Sequence, residues 1–125
     1  MTNDELKQAI RELISAHPDL SPTEDGHNVH MERYKTSRGL LLGLEPDLKT
    51  KVNLFVQANA ITSPKLTDIE QREYFAKDYS TSKPNHNLFG TGSFKLTMDL
   101  VRFTPEDVWQ AARIIFAIAG EGARK

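Results

Sequence analysis

The side chains best suited to metal or acid–base chemistry lie between positions 27 and 47. They are two histidines and three carboxylates: His27, His30, Glu32, Glu45 and Asp47. Imidazole is a frequent zinc ligand and titrates near neutral pH. Clustered carboxylates hold divalent ions that activate water. One hypothesis is therefore a metal-assisted hydrolase or nuclease, with His27 and His30 as the candidate metal ligands.

The spacing of the two histidines argues against a shared metal ion. Side chains three residues apart are neighbours on a helix but point to opposite faces of a strand. Residues 28–36 alternate in a period of two and predict a strand. The three carboxylates match no metal-nuclease spacing. Partly exposed histidines are the favoured interpretation, and the sequence predicts no cofactor and no catalytic residue.

A glycine-containing run at residues 89–93, Phe-Gly-Thr-Gly-Ser, resembles a phosphate-binding loop only superficially. It lacks the spacing of a P-loop and precedes a predicted strand, whereas a phosphate-binding loop precedes a helix. Without a helix N-terminus the loop loses the main source of attraction for an anion. A tight turn at Gly90-Thr91-Gly92 is the prediction.

Basic and aromatic residues form the second candidate site. Arginine and lysine bind phosphates, and an aromatic ring can stack on a base. The set follows a predicted hairpin and the start of the next strand, and it comprises Arg33, Tyr34, Lys35, Arg38, Lys49 and Lys51. The carboxylates of Glu32, Glu45 and Asp47 lie among these residues and reduce the net positive charge of the set. The set predicts a surface for a nucleic-acid or protein partner, and a solvated mixed-charge face is the alternative.

Phe55 offers a third candidate. It alternates to the side opposite Val52, Leu54 and Val56 in the strand predicted for residues 51–58. If that side is open, Phe55 and Tyr34 form an apolar patch that fits a protein partner or a second copy of the chain. The other possibility is that the segment carrying Tyr74, Phe75 and Tyr79 covers them.

Composition restricts the class of protein. The 125 residues fit one domain, with a net charge of −1 and no cysteine. Thiol catalysis, disulfides and cysteine–zinc sites are therefore excluded, and a reducing compartment fits. No apolar run has the length of a signal peptide or a membrane span. The expectation is a cytoplasmic protein with no membrane partner.

A helix is predicted near each end of the chain. Thr2-Asn3-Asp4-Glu5 is a capping-box pattern, followed by apolar residues at helical spacing up to Pro18. Near the other end, Val108–Ala119 is apolar around most of its circumference, which predicts either a core helix or a helix that meets a partner. Thr104 is the predicted N-cap, with Pro105 at the first helical position. The tail at residues 121–125 is predicted to fray.

The region between the helices predicts strands with short connections, which favour an antiparallel meander. Residues 28–36, 40–44, 51–58 and 94–103 are the predicted strands, and residues 87–89 are a possible short one. Residues 19–26 are predicted to be a connection, and residues 61–87 an irregular insert with a short helix at 68–75.

The prediction is an α+β fold: a two-layer sandwich of four to five mainly antiparallel strands, with the N-terminal and C-terminal helices on one face. The favoured function is a small non-enzymatic binding module that acts on a protein or nucleic-acid partner or self-associates as a homodimer. The sequence resembles no family that would add a substrate or a pathway.

Overall fold

The computed structural model describes residues 1–60, 66–89 and 92–119. It contains two helices and six strands. Their bounds are α1 (Asn3–Ala16), β1 (Leu20–Asn28), β2 (Met31–Thr36), β3 (Leu41–Glu45), β4 (Asn53–Gln57), β5 (Glu70–Tyr74), β6 (Leu100–Thr104) and α2 (Val108–Ala119). Neither helix of this described part has the length and apolarity that crossing a membrane requires.

The strands form one antiparallel sheet in the order β1-β2-β3-β4-β6-β5. Both helices pack on one side of it, called here the helix face. Their buried side chains, such as Ile10 and Ile115, share one core with Leu42, Leu54 and Phe103 of the central strands. The predicted α+β architecture is confirmed, with six strands where four to five were expected.

The N-terminal cap of α1 is the one that the sequence predicts. The Thr2 hydroxyl accepts a hydrogen bond from the Glu5 backbone N–H at 3.1 Å, and the Glu5 carboxylate accepts one from the Thr2 N–H at 2.7 Å. These two bonds satisfy backbone donors that have no partner inside the helix. The helix ends at Ala16, two residues before Pro18, as expected.

The first strand lies where a connection was predicted, at residues 19–26. β1 is an edge strand with β2 as its only neighbour, so Pro22 removes no hydrogen bond that a second neighbour would need. Gly26 adopts a φ of 63°, and the register with β2 shifts between Pro22 and His27. The turn and breaker residues therefore mark an irregular edge strand. The predicted strand at 28–36 also begins later, because Val29 and His30 form the turn into β2.

Three further local predictions were wrong. Residues 70–74 form an edge strand against β6 and not a helix, because pairing with a neighbour outweighs weak helical spacing. Residues 94–99 are bends and a turn, so only Leu100–Thr104 is a strand. His86–Leu88 is a short 3-10 helix and not a strand. Two of the three residues of the predicted turn at 90–92, positions 90 and 91, lie outside the described residues. The predicted tail at 121–125 lies outside them as well.

The second side of the sheet, called here the insert face, is covered by side chains from residues 76–89 and 92–98, called here the insert. Phe55, 2% exposed, packs there in a second apolar core that includes Tyr74, Leu88 and Phe94. Gly43 lies directly beneath it: a Cβ at this position would come within 2.8 Å of Leu88 Cδ1. The sheet is therefore apolar on both faces, with the two helices on one side and the irregular insert on the other.

The helix α2 begins later than its predicted cap. Thr104 is the last residue of β6, and its hydroxyl donates to Asn53 Oδ1 at 2.7 Å. Asp107 is the N-cap, because its carboxylate accepts from the Gln110 N–H at 2.8 Å and its carbonyl accepts from Ala111. A buried hydrogen bond to the sheet thus outweighs a favourable local sequence for capping.

Candidate functional site

The two histidines of the metal hypothesis have separate partners. Nδ1 of His27 accepts a hydrogen bond from the Arg33 backbone N–H at 3.1 Å, and its ring centroid lies 4.9 Å from that of Tyr34. His30 lies in the β1–β2 turn, where its Nδ1 is 2.8 Å from Asp47 Oδ2. That contact holds the pKa of Asp47 below its ordinary value. The structure does not bring the two imidazoles together at one carboxylate.

The carboxylate of Glu45 is buried and held by amides. Oε1 accepts from Asn53 Nδ2 at 3.0 Å, and Oε2 accepts from Asn85 Nδ2 at 2.6 Å. Asn53 in turn accepts the Thr104 hydroxyl hydrogen bond. Since both oxygens are occupied, the network ties the insert to the sheet. Among the described residues, no group of three or more histidines, cysteines, aspartates or glutamates is arranged to hold a metal ion.

Arg33 belongs to the protein interior. Only 4% of it is exposed, and its guanidinium donates to three backbone carbonyls: those of Gly26 at 3.0 Å, Asn87 at 2.7 Å and Leu88 at 3.0 Å. Its Nε also lies 3.8 Å from Asp25 Oδ2. The side chain therefore joins the bulge of β1 to the insert across the sheet, and it is not part of the basic surface.

The remaining basic residues are divided between the two ends of the sheet. Arg38 is exposed in the β2–β3 turn, and Lys35 is half-buried near it at the end of β2. Lys49 and Lys51 are exposed in the β3–β4 loop. Because consecutive antiparallel connections alternate ends, the length of β3 separates the two pairs, about 17 Å at 3.4 Å per residue. The six predicted residues therefore do not form one contiguous surface.

Tyr34 and Phe55 also lie apart, on opposite faces of the sheet. Tyr34 contacts a cleft of ≈ 500 Å³ between α1 and β1, where Arg11 and Glu32 also lie. Glu32 accepts two hydrogen bonds from Arg11 Nε and a third at 2.8 Å from Nη2, and the Tyr34 hydroxyl donates to it at 3.0 Å. Phe55 is covered by the insert, so the apolar patch proposed for these two rings does not form.

The electrostatics of this cleft favour a fixed pairing over catalysis. Burial, reinforced by the charge of Glu32, raises the pKa of the Tyr34 phenol far above its ordinary value. The hydrogen bond to Glu32 raises the pKa of Arg11. The phenol is therefore a permanent donor, and the carboxylate is already occupied by two partners. This arrangement stabilises the contact of α1 with the sheet.

The carboxylate of Asp25 leads to a prediction about how the stability of the protein depends on pH. Burial raises the pKa of Asp25. Hydrogen bonds from Thr23 and Ser93 and the charge of Arg33 together lower it by more than burial raises it, so the net pKa lies below the ordinary value. A carboxylate with a depressed pKa stabilises the fold above its unfolded pKa of about 3.9 and loses that contribution as the pH falls through the folded value. We therefore expect Asp25→Asn to destabilise the protein at pH 7.

The measurement is urea unfolding of both proteins between pH 7 and pH 3. The difference in unfolding free energy between wild type and Asp25→Asn should shrink as the pH falls below about 4, because the unfolded wild-type chain then takes up a proton at Asp25 that the folded carboxylate, with its lower pKa, does not. A difference that stays constant over this range would show that the carboxylate charge does not contribute.

A further candidate surface lies on α2, the helix that the sequence predicts to be either part of the core or a contact for a partner. Trp109 is 73% exposed and Phe116 is 43% exposed, so the structure does not bury these two rings as the core-helix alternative would. The buried side of α2 consists of Ala111, Ile114, Ile115, Ile118 and Ala119. Trp109 and Phe116 are seven residues apart and so share the outer side of the helix. The spacing was visible in the sequence, but a helix apolar on most sides does not reveal which side is outermost.

Comparison with known proteins gives no relative to argue from: no family model, no curated protein and no solved structure matches this chain.

Proposed function

We propose that this protein is a small interaction module that binds protein through the outer side of α2, and that the occupant of this surface is a second copy of the chain. The observation that carries the proposal is the exposure of two large aromatic side chains on one stripe of a helix. The stripe consists of Trp109, Ala112, Arg113 and Phe116. Exposed aromatic residues on one surface are typical of protein interfaces.

The order of residues along the stripe suits antiparallel pairing with itself. In a two-fold contact between α2 helices centred between Ala112 and Arg113, Trp109 of one copy faces Phe116 of the other. The contact between Trp109 and Phe116 then forms twice. Ala112 lies beside the axis, where its small side chain lets the two helices approach closely.

Charge also supports a two-fold pairing. Arg113 is bound by Asp68 through two hydrogen bonds, at 2.9 and 2.8 Å, so the two arginines near the axis carry their own counter-charges. Glu106 and Asp107, both exposed, precede the Trp109 end. In the antiparallel contact they approach the Phe116 end of the other copy, where the His17 ring lies 6.1 Å from the Phe116 ring.

A protein partner is favoured over nucleic acid by the division of the basic residues. Nucleic-acid binding depends on lysine and arginine clustered along one face. Here Lys35 and Arg38 lie at one end of the sheet, Lys49 and Lys51 lie at the other, and Arg33 is buried. The metal-assisted hydrolase has no supporting contact among the described residues, since His27 and His30 bind different partners.

The expected dimer is weak and concentration-dependent. A fully buried aromatic side chain contributes about 150–250 Å², so the two aromatics of one copy supply less than the roughly 800 Å² per partner of a standard stable interface. We expect monomer at low concentration and a rising share of dimer as the concentration increases.

Trp109 is the protein's single tryptophan, so its fluorescence reports on the interface directly. We expect its emission to shift to the blue and become less sensitive to acrylamide quenching as the concentration rises, because dimerisation removes the ring from water. Light scattering after size exclusion should show a parallel rise in mass above the 14.1 kDa of one chain.

Phe116→Ala tests the contact while keeping the tryptophan as a probe. It should abolish both the spectral shift and the rise in mass. Val29→Ala is the matched control, because Val29 is 74% exposed and lies in the β1–β2 turn, so it should leave both signals unchanged. A wild-type mass that stays at one chain over the whole concentration range would overturn the second copy as the occupant.

A further inference from the structure

Two arginines face each other across the β5–β6 pair. Arg72 and Arg102 are direct partners in the antiparallel register and lie on the insert face. Directly opposed residues have Cβ atoms roughly 4.5–5.5 Å apart, and like charges in this position destabilise a sheet. Such an arrangement calls for a compensating negative charge near both guanidinium groups.

The protein itself supplies little of that charge to Arg102. Glu70 Oε2 lies 4.0 Å from Arg102 Nη2, beyond hydrogen-bond distance, and 57% of the Glu70 side chain is exposed. The Tyr74 hydroxyl is 3.4 Å from Nη1. Among the described residues, Arg102 Nε is the only buried side-chain nitrogen or oxygen without a hydrogen-bond partner. An incompletely satisfied guanidinium in a native protein points to a bound water or ion.

The second guanidinium is held in place beside the first. Arg72 lies over the Tyr74 ring, with its central carbon 4.6 Å from the ring centroid, and its Nη2 donates to Ser82 Oγ at 2.9 Å. Stacking and this hydrogen bond restrict the side chain, so less conformational entropy is lost when a ligand binds. Arg72 is exposed, which leaves its charge accessible from solvent.

We infer that Arg72 and Arg102 form a binding site for a phosphate group, with the hydroxyls of Ser82 and Tyr74 as further hydrogen-bonding groups. Planar guanidinium groups present paired N–H donors that match the oxygens of phosphate. A phosphate dianion would neutralise the two opposed charges that Glu70 compensates only in part. The site lies on β5 and β6 and does not depend on the stripe of α2.

Titration with inorganic phosphate, with sodium chloride adjusted to keep the ionic strength constant, tests this site. We expect a saturable rise in melting temperature, because a ligand that binds the folded state stabilises it. In ¹H–¹⁵N spectra the Nε–H signals of Arg72 and Arg102 should move with the same saturation curve. No saturable change in either measurement would overturn the inference.

Arg72→Gln is the informative variant, since position 72 is exposed and the substitution should not prevent folding. Losing one charge-assisted pair should weaken phosphate binding roughly tenfold or more. Arg38→Gln, at an exposed arginine in the β2–β3 turn, is the matched control and should bind as wild type does. Equal weakening by both variants would mean non-specific attraction to positive charge and would overturn the site.

The source of the phosphate group is distinguished by a second ligand, a short oligothymidylate. Binding of inorganic phosphate alone indicates a small phosphorylated ligand. Competition between phosphate and the oligothymidylate for the same arginine signals indicates that the site also accepts the phosphodiester of a nucleic acid. Both results support the site, whereas arginine signals that move with neither ligand would contradict it.

Discussion

Replacing Arg33 with methionine is expected to lower the free energy of unfolding by about 3–5 kcal/mol, the cost of removing one partner from a buried charged pair. Methionine fills much of the volume but donates no hydrogen bond. The carbonyls of Gly26, Asn87 and Leu88 would then be buried without their donor, and Asp25 would lose its nearest positive charge. Urea unfolding monitored by circular dichroism measures the loss.

Arg38→Met is the matched control for this experiment. It removes the same charge from an exposed position in the β2–β3 turn, where we expect an effect within about 0.5 kcal/mol. The difference between the two changes in unfolding free energy tests the burial of Arg33, and it does not require the absolute stability of the protein. Similar effects at both positions would mean that Arg33 lies at the surface, as the sequence analysis expected.

Replacing Phe94 with alanine is expected to lower the free energy of unfolding by about 3–5 kcal/mol, the usual cost of truncating a buried phenylalanine. Phe94 is 1% exposed and packs in the core between the insert and the sheet. Its loss would leave a cavity beside Leu88 and Gly43. Hydrogen exchange should also show that residues of the insert open more readily in this variant than in wild type.

Leu96→Ala separates the two descriptions of this segment. In the predicted strand at 94–103, Phe94 and Leu96 lie on the same buried face, so both truncations should be costly. In the structure the segment bends, and Leu96 is 55% exposed. We therefore expect Leu96→Ala to change stability by no more than about 0.5 kcal/mol. A large loss at Leu96 would restore the strand.

The helices were the most predictable part of this chain. Their signals are local: a capping box at Thr2 and Glu5, apolar residues at helical spacing, and Pro18 beyond the end. The central strands β3 and β4 were also predicted, because their alternating or continuous apolar residues are typical of buried strands. These features led to the correct fold class.

The edge strands could not be identified in the same way. β1 contains Pro22 and Gly26, and β5 has four exposed residues out of five, so neither carries a clear apolar pattern. Each becomes a strand because a neighbour already in the sheet supplies hydrogen-bond partners along one side. The register partners lie up to 16 positions away for β1 and 26 to 34 positions away for β5, and the pattern within either strand does not contain them.

The sequence by itself determined the two helices, the antiparallel central strands and the absence of cysteine chemistry. Only the tertiary structure decided which charged residues are available. Arg33 is internal while Arg72 and Arg102 face each other, and Phe55 is covered while Trp109 is exposed. The physical reason is that the exposure of these side chains depends on which segment covers the second side of the sheet and on which side of α2 faces outward. Both are fixed by packing between segments distant in the chain, and no local spacing records that packing.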